Sequence, residues 1–461
     1  MKEPLFQEFP QVSANQWKQQ IEADLKGADY DEKLVYNSLD GISVKPFYTS
    51  EDLTGRFQLP PPKPWNICEK ITVEDEGQGN KKARQVLEKG AESLWFVIFS
   101  ETIDPNTLFE GLELSRIPIY LDLQFLSLEY VQKLDALLAG KNAEVYLQTD
   151  ILGHLSRTGN WYFDREKDFL FLKAIAATSN FRSVFAIDLS HIQNAGANIP
   201  QQLGFAMGIL KEYLNIFSQK KDLLKGFSPQ FLIAVGSNYF FEIAKLRALR
   251  GLYQIMAKED DLPENCTIIA QPSRRDKTLY DNNVNLLRTT TQSMSAVLGG
   301  ADAVYNTPYD AFFKRNSEFG ERIARNQLLI MKHEAYFKRV ANPADGAYYI
   351  ESLTSQFTEA ALEIYHEIER EGGLLALLLN EKIQAQIERS ASKEQELFNK
   401  GELILVGTNK FTNPQDLMQK ELEREPFKPE ASGESLIRPI LPKRLSEKQE
   451  QERLRKEQLE S

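Results

Sequence analysis

Seven short runs that are apolar throughout constrain this chain more than any other feature. They are LWFVIFS (94–100), IPIYLDL (117–123), AEVYLQTD (143–150), VFAIDLS (184–190), FLIAVGSN (231–238), CTIIAQPS (266–273) and ADAVYNTPYD (301–310), most of them ending in polar residues and separated by stretches with helical spacing. A strand with one wet face alternates apolar and polar side chains, whereas a strand apolar at every position is buried on both faces, as in a parallel sheet covered by helices. With an eighth β-unit before Leu94 or near Tyr348, the pattern predicts a (β/α)8 TIM barrel. A doubly wound open sheet is the competing architecture, but no GxGxxG follows any of the strands.

The segments between the strands carry helix signals of their own. Pro200 stands at a favourable early position of QQLGFAMGILKEYLNIF. Phe240, Ile243, Leu246, Leu249, Tyr253 and Met256 recur every three or four residues, and Gly299 and Gly300 end the helix that begins near RTTTQ. Ahead of the barrel, VSANQWKQQIEADLKG offers a capping box in Ser13 and Gln16, one face formed by Trp17, Ile21 and Leu25, and a stop at Gly27. That stripe needs a cover, from this chain or from a partner. Prolines 60, 61, 62 and 64 mark the way into the main domain. The division expected is an N-terminal helical arm (1–60), a barrel (61–355), and a helical C-terminal extension with a charged tail (356–461). The tail, LPKRLSEKQEQERLRKEQLES, has regular apolar positions only at Leu445, Leu454 and Leu459. It reads as a solvated or frayed helix, with docking on a partner as the alternative.

Charge and cysteine usage exclude several classes. Asp and Glu number 66 against 55 Lys and Arg, so no net positive field awaits nucleic acid. Cys68 and Cys266 lie far apart without a CxxC, which argues against a disulfide framework or zinc site and for a reducing compartment. No apolar run approaches the roughly 20 residues of a membrane span. The opening MKEPLFQEFP resembles neither a secretory signal nor a presequence, so a cytoplasmic location is expected.

In a parallel barrel, polar residues at the carboxyl ends of the strands face the mouth where substrates bind. Asp150, Asp188, Ser190, His191, Asn238, Gln271 and Ser273 meet that description. Asp188 and His191 fit a general base and its orienter, two metal ligands, or a hydrogen-bonded strand-end cluster with no reaction. The chain has only four histidines, His154, His191, His333 and His366, so a metal site would have to recruit carboxylates. Arg322 and Arg325 near a helix start oppose the dipole and are expected to pair with acids or an anion. No Ser-His-Asp order, P-loop or HExxH appears.

Several segments together resemble the substrate-binding barrel of the methylmalonyl-CoA mutase family. KPWNICEKI (63–71) is similar to the family's RPWTIRQYAG, DLSHIQNAGA (188–197) to its GYHxxEAGA, and FFEIAKLRALRGLY (240–253) to its FFxEIAKxRAxRxLW. NNVNLLRTTTQSMSAVLGGADAVYNTPYD (282–310) and ERIARNQLLIMKHEAYFKRVANPADGAYYIESLT (321–354) follow in family order. The lead-in LKGADYDEKLVYNSLDGISVKPFYTSEDL (25–53) extends the likeness to about 80% of the chain.

The departures carry the functional expectation. Aligned on PW, Lys70 stands where active members have a substrate-facing tyrosine. Ser190 replaces the tyrosine of GYH beside a retained His191, and AQPSRR replaces QTSG, keeping only Gln271 and Ser273 in type. Lysine or serine cannot rebuild an aromatic wall around a radical. The family's cobalt-ligating DxHxxG is also absent from the sequence. The resemblance therefore implies a small structural subunit of a heterodimeric mutase. Its pocket, Lys70, Asp188, Ser190, His191, Asn238, Gln271 and Ser273, is vestigial, with no catalytic or metal-binding residues. Adenosylcobalamin would be held by a homologous large subunit, around which the arm wraps. CoA thioester binding by this chain is in question, and neither nucleic acid nor membrane is a partner. The alternatives are a catalytic acyl-CoA mutase barrel that borrows cobalamin from a separate subunit and an unrelated metal-dependent barrel enzyme using Asp188 and His191.

Overall fold

A computed structural model describes residues 9, 12–53, 59–60, 63–224, 228–315, 317–340, 342–427 and 433–460. Eight parallel strands form its centre: β1 (Asn66–Val73), β2 (Ser93–Ile98), β3 (Pro118–Leu123), β4 (Glu144–Leu147), β5 (Ala186–Asp188), β6 (Gln230–Val235), β7 (Thr267–Pro272) and β8 (Ala303–Tyr305). Hydrogen bonding runs β4-β3-β2-β1-β8-β7-β6-β5. Between the two ends, Leu147 N–H donates to Ser183 O at 3.0 Å and Ala186 N–H to Thr149 O at 3.0 Å, which closes the ring. The eighth strand is β1, ahead of Leu94; Tyr348 instead opens the helix Tyr348–Arg370.

Inside the ring, side chains fill the axis, as expected for a small barrel. Cys68, Trp95, Tyr120, Tyr146, Ala186, Leu232, Ile269 and Ala303 form one buried cluster, with Tyr305 against it. Tyr120 lies 5.2 Å from Tyr146 and Trp95 packs edge-on to Tyr305 at 6.4 Å, centroid to centroid. The opposite faces of the strands meet the surrounding helices in a second, larger core. Alternation along each strand assigns the two faces, because successive side chains point to opposite sides.

The helices Ile199–Ile216, Tyr239–Asp260 and Tyr348–Arg370 pack together on one flank. Gly204 permits the contact: a Cβ there would sit 2.6 Å from Ile364 Cγ2. The charged residues of FFEIAKLRALR are buried in the same place. Arg247 pairs with Glu351 at 2.8 Å and with Asp345, and Lys245 pairs with Glu242 at 2.5 Å while donating to Ala234 O at 2.8 Å. Arg325 reaches Glu69 of β1 at 2.6 Å, the acid partner expected of it, whereas Arg322 lies over the ring of Phe319. Cys68 and Cys266 are both free and buried.

The arm helix Ala14–Asp24 has the Ser13–Gln16 capping box, and Gly27 takes a left-handed φ of +92° just past its end. It buries none of its residues. Trp17 is 54% exposed. Of the proline run, residues 61 and 62 lie outside the described residues.

The tail differs from the solvated helix that its charges suggest. Residues 437–445 run across the mouth loops: Ile437 N–H donates to Gly159 O (3.1 Å), Ile440 N–H to Ser156 O (2.7 Å), Lys443 N–H to Asn194 O (2.9 Å) and Leu445 N–H to Arg275 O (2.9 Å). Gly159, at φ +79°, leaves room for this strap, since a Cβ there would lie 2.4 Å from Ile437 O. The helix Glu447–Glu460 then docks on its own chain through buried carboxylates. Glu450 accepts from Leu279 N–H at 2.8 Å and from Arg444 at 2.6 Å, and Glu457 accepts from Tyr280 Oη at 2.5 Å and Met418 N–H at 3.0 Å. Leu454 packs beside them on Leu279, Tyr280 and Met418, and Leu445 on Phe398, but two apolar positions are too few to distinguish a docked helix from a solvated one.

No helix among the described residues is long and apolar enough to cross a membrane.

Candidate functional site

At the carboxyl end of the barrel the structure divides Lys70 and the seven expected strand-end residues between two cavities and a buried position behind them. Lys70, Asp150, Asp188, Ser190 and Gln271 line a cavity of about 200 Å3, together with Trp95, Asp122, Gln148 and Arg157. Asn238 and Ser273 face a separate cavity of about 300 Å3, which the arm at Asp40 and the strap at Leu445 help to wall. Asn238 there caps the helix Tyr239–Asp260, and Ser273 donates to Asn194 Oδ1 at 3.0 Å. His191 is buried.

Strand geometry places the first set. Lys70 on β1, Asp122 on β3, Asp188 on β5 and Gln271 on β7 each lie on the inward face toward the carboxyl end of a strand, two residues beyond a member of the axial cluster. Asp122 and Gln148 were therefore legible by the same alternation. Arg157 was not, because it comes from the helix Ile151–Thr158, whose approach to β5 is a tertiary fact.

Asp188 is already engaged. One oxygen accepts from Arg157 Nη1 at 2.9 Å, the other from Ser190 N–H at 2.8 Å and Ser190 Oγ at 2.5 Å. Arg157 and the two hydrogen bonds from Ser190 hold its carboxyl below the usual range despite burial. Asp150 is a structural acid: it accepts from Gly153 N–H (2.9 Å), Asp188 N–H (2.9 Å) and Tyr213 Oη (2.7 Å), and burial raises it. It ties β4 to β5 and to the helix behind them.

His191 does not form a base–orienter pair with Asp188, whose Oδ2 is 4.0 Å from Nδ1, too far for a hydrogen bond. Its Nε2 is 2.6 Å from Ser156 Oγ, and that hydroxyl donates to Gly153 O. The hydroxyl hydrogen being used, the imidazole donates from Nε2, which leaves Nδ1 a bare, buried acceptor without a partner. Burial depresses the ring to about 4, from an ordinary 6.5. The folded state thus disfavours the proton that the unfolded chain accepts. Stability owed to neutral His191 is complete above pH 6.5 and is lost as pH falls toward 4, by about 3 kcal/mol in all. Urea unfolding at a series of pH values should show wild type losing ground to His191→Gln over that window. A constant difference between the two would contradict this reading.

The mouth contains two cations, Lys70 and Arg157, and the carboxylates Asp122 and Asp188 stand against them. This leaves no surplus positive charge to receive a substrate carboxylate or phosphate. Among the described residues, no group of three or more His, Cys, Asp and Glu could hold a metal ion. Nor do the histidines fit a cobalt ligand at the mouth. His154 stacks on Tyr162 at 3.6 Å, His191 is enclosed, and His333 and His366 sit on outer helical segments.

A sequence model of methylmalonyl-CoA mutase matches residues 95–458. A methylmalonyl-CoA mutase small subunit of Porphyromonas gingivalis is 32% identical over 452 residues, covering 89% of this chain and 72% of the relative. A protein of the same name from Streptomyces virginiae is 28% identical, covering 91% and 73%. A methylmalonyl-CoA mutase of Cereibacter sphaeroides is 27% identical, covering 86% and 64%.

Proposed function

The chain belongs to the methylmalonyl-CoA mutase family, and from that premise we propose that it is the structural small subunit of a heterodimeric mutase. A homologous large subunit would hold adenosylcobalamin and convert (R)-methylmalonyl-CoA to succinyl-CoA. One observation carries this reading: the barrel mouth is closed to the family's substrate. Trp95, Tyr120, Tyr146 and Tyr305 pack the axis beneath it. The remaining cavity of about 200 Å3 falls below the roughly 300–1,000 Å3 of ordinary ligand sites, and a CoA thioester needs more than a drug-sized molecule does. Lys70 and Ser190 stand where the family's aromatic wall would be, and the cations are neutralised by Asp122 and Asp188. The names of the relatives from P. gingivalis and S. virginiae agree with the assignment.

The strap argues against the reading in which the barrel borrows cobalamin for its own catalysis. Residues 437–445 hydrogen-bond to loops after β4, β5 and β7, on the face where a cofactor-bearing partner would have to seat. The metal-dependent reading lacks its donors, since Asp188 is engaged by Arg157 and Ser190.

Mutase assays on the purified chain, on the large subunit and on the pair test the proposal. The chain alone, supplied with adenosylcobalamin and methylmalonyl-CoA, is expected to show no turnover, and Lys70→Tyr with Ser190→Tyr should restore none. Turnover by either form alone would overturn the assignment.

A further inference from the structure

Lys70 is a group in the mouth that the assembly role leaves without a task. Its ammonium lies 4.0 Å from the centre of the Trp95 ring, and no carboxylate or hydrogen-bond acceptor among the described residues is in direct contact with it. Lys70 is half-buried, and a lysine drawn partly out of water normally has such a partner, because withdrawing an unpaired charge from solvent is costly. Here the neighbouring acids are turned elsewhere: Asp188 to Arg157 and Ser190, Asp122 to Gln124 Nε2 at 2.5 Å. The cavity opens to solvent beside Phe99, which is 58% exposed.

We propose that this cavity binds a small uncharged aldehyde or ketone and that Lys70 condenses with it to an imine. The step balances without a further reactant. The Lys70 amine attacks the carbonyl carbon, forming the C–N bond, and its proton passes to the oxygen to give a carbinolamine. Asp122, in its acid form, then protonates that hydroxyl, which leaves as water, and the protonated imine remains.

Three observations favour this chemistry over simple anion binding. With Lys70 as the free amine and Asp122 as the acid, Arg157 and Asp188 remain as an opposed pair, so no net field draws a carboxylate in. Burial lowers Lys70, opposed by Asp122 and Asp188 and assisted by Arg274, which raises the share of free amine. Burial also raises Asp122, against the pull of Lys70 and Arg157, which suits it to hold a proton. The Trp95 face acts the other way by favouring the ammonium. A volume of about 200 Å3 limits the partner to a molecule of a few carbons.

The inference does not rest on the assembly role, and trapping is performed on the full chain alone. The protein is incubated with propanal and cyanoborohydride at pH 7, and modified lysines are located by peptide mass spectrometry. Lys70 should gain the propyl group several times faster than Lys133 and Lys167, whose side chains are 60% and 64% exposed. Asp122→Asn should slow Lys70 while leaving those two unchanged. Pyruvate in place of propanal should label Lys70 more slowly. A Lys70 that is unmodified, or modified no faster than Lys133, would overturn the proposal, and a preference for pyruvate would overturn the uncharged ligand class. None of these results bears on the affinity for the large subunit.

Discussion

Replacing Trp17, Ile21 and Leu25 together by Asp is expected to weaken association with the proposed large subunit by about a thousandfold. Trp17 and Ile21 lie on one face of the helix Ala14–Asp24, in which no residue is buried, and Leu25 caps its end. Trp17 is 54% exposed, and among the described residues its ring packs on Phe47 at 6.1 Å. Fully burying a large apolar side chain contributes about 1.5–3 kcal/mol. Because Ile21 and Leu25 are already half-covered, the three together supply about 4 kcal/mol, which corresponds to three decades in Kd. Each Asp would also have to be desolvated at the interface, so the estimate is a lower bound. The substitutions should hardly alter the thermal stability of the isolated chain, since nothing in this helix belongs to its core. Titration of labelled wild-type and variant chains with the large subunit measures the difference. An unchanged Kd would show that the arm is not the contact.

Glu450→Ala should release the C-terminal helix, at a cost of about 3–5 kcal/mol. The substitution takes from Arg444, which is 4% exposed, its close carboxylate and leaves only Glu447 at 3.9 Å, and it leaves the buried Leu279 N–H without its acceptor. An orphaned buried charge costs more than an intact buried pair contributes. Removing both charges, as Arg444→Met with Glu450→Leu, should therefore destabilise less than Glu450→Ala alone. Hydrogen exchange over residues 447–460 reports the release directly, and equilibrium unfolding reports the energy. Should the double variant prove as unstable as the single one, apolar packing rather than charge compensation would be holding the tail.

The parallel barrel was legible because its strands are apolar on both faces, a pattern few other arrangements tolerate. LWFVIFS, IPIYLDL and FLIAVGSN each became a strand at the expected place. The strand around Cys68 was harder to see, since NICEKITV carries Glu69, bonded to Arg325, and Lys70, which lies over Trp95. Polar residues that face a partner inside a barrel look in the sequence like residues that face water. The same blindness hid the buried pairs of FFEIAKLRALR and the docking of the tail, where Glu450 and Glu457 do what leucines would do on an ordinary helix.

The candidate site divides along similar lines. Lys70, Asp188, Ser190 and Gln271 reached one cavity because each sits near the end of a strand, a position that period-two spacing fixes. His191, Asn238 and Ser273 were equally close to strand ends, yet they turn aside into local hydrogen bonding with Ser156, Phe241 and Asn194. Arg157, which neutralises Asp188, carried no signal at all.

By itself the sequence determined the barrel, the order of its strands, the kinship to the mutases and the identity of the departures from them. Hydrophobic periodicity and motif spacing are properties of neighbouring residues, and neighbours are what a sequence records. Only the tertiary structure decided that the axis is filled by four aromatic rings, that the mouth is electrically balanced, that Lys70 lies over Trp95 and that the tail straps the mouth loops. Those outcomes depend on which charges and rings from distant segments meet at a few ångströms, where desolvation and Coulomb terms are steep functions of distance.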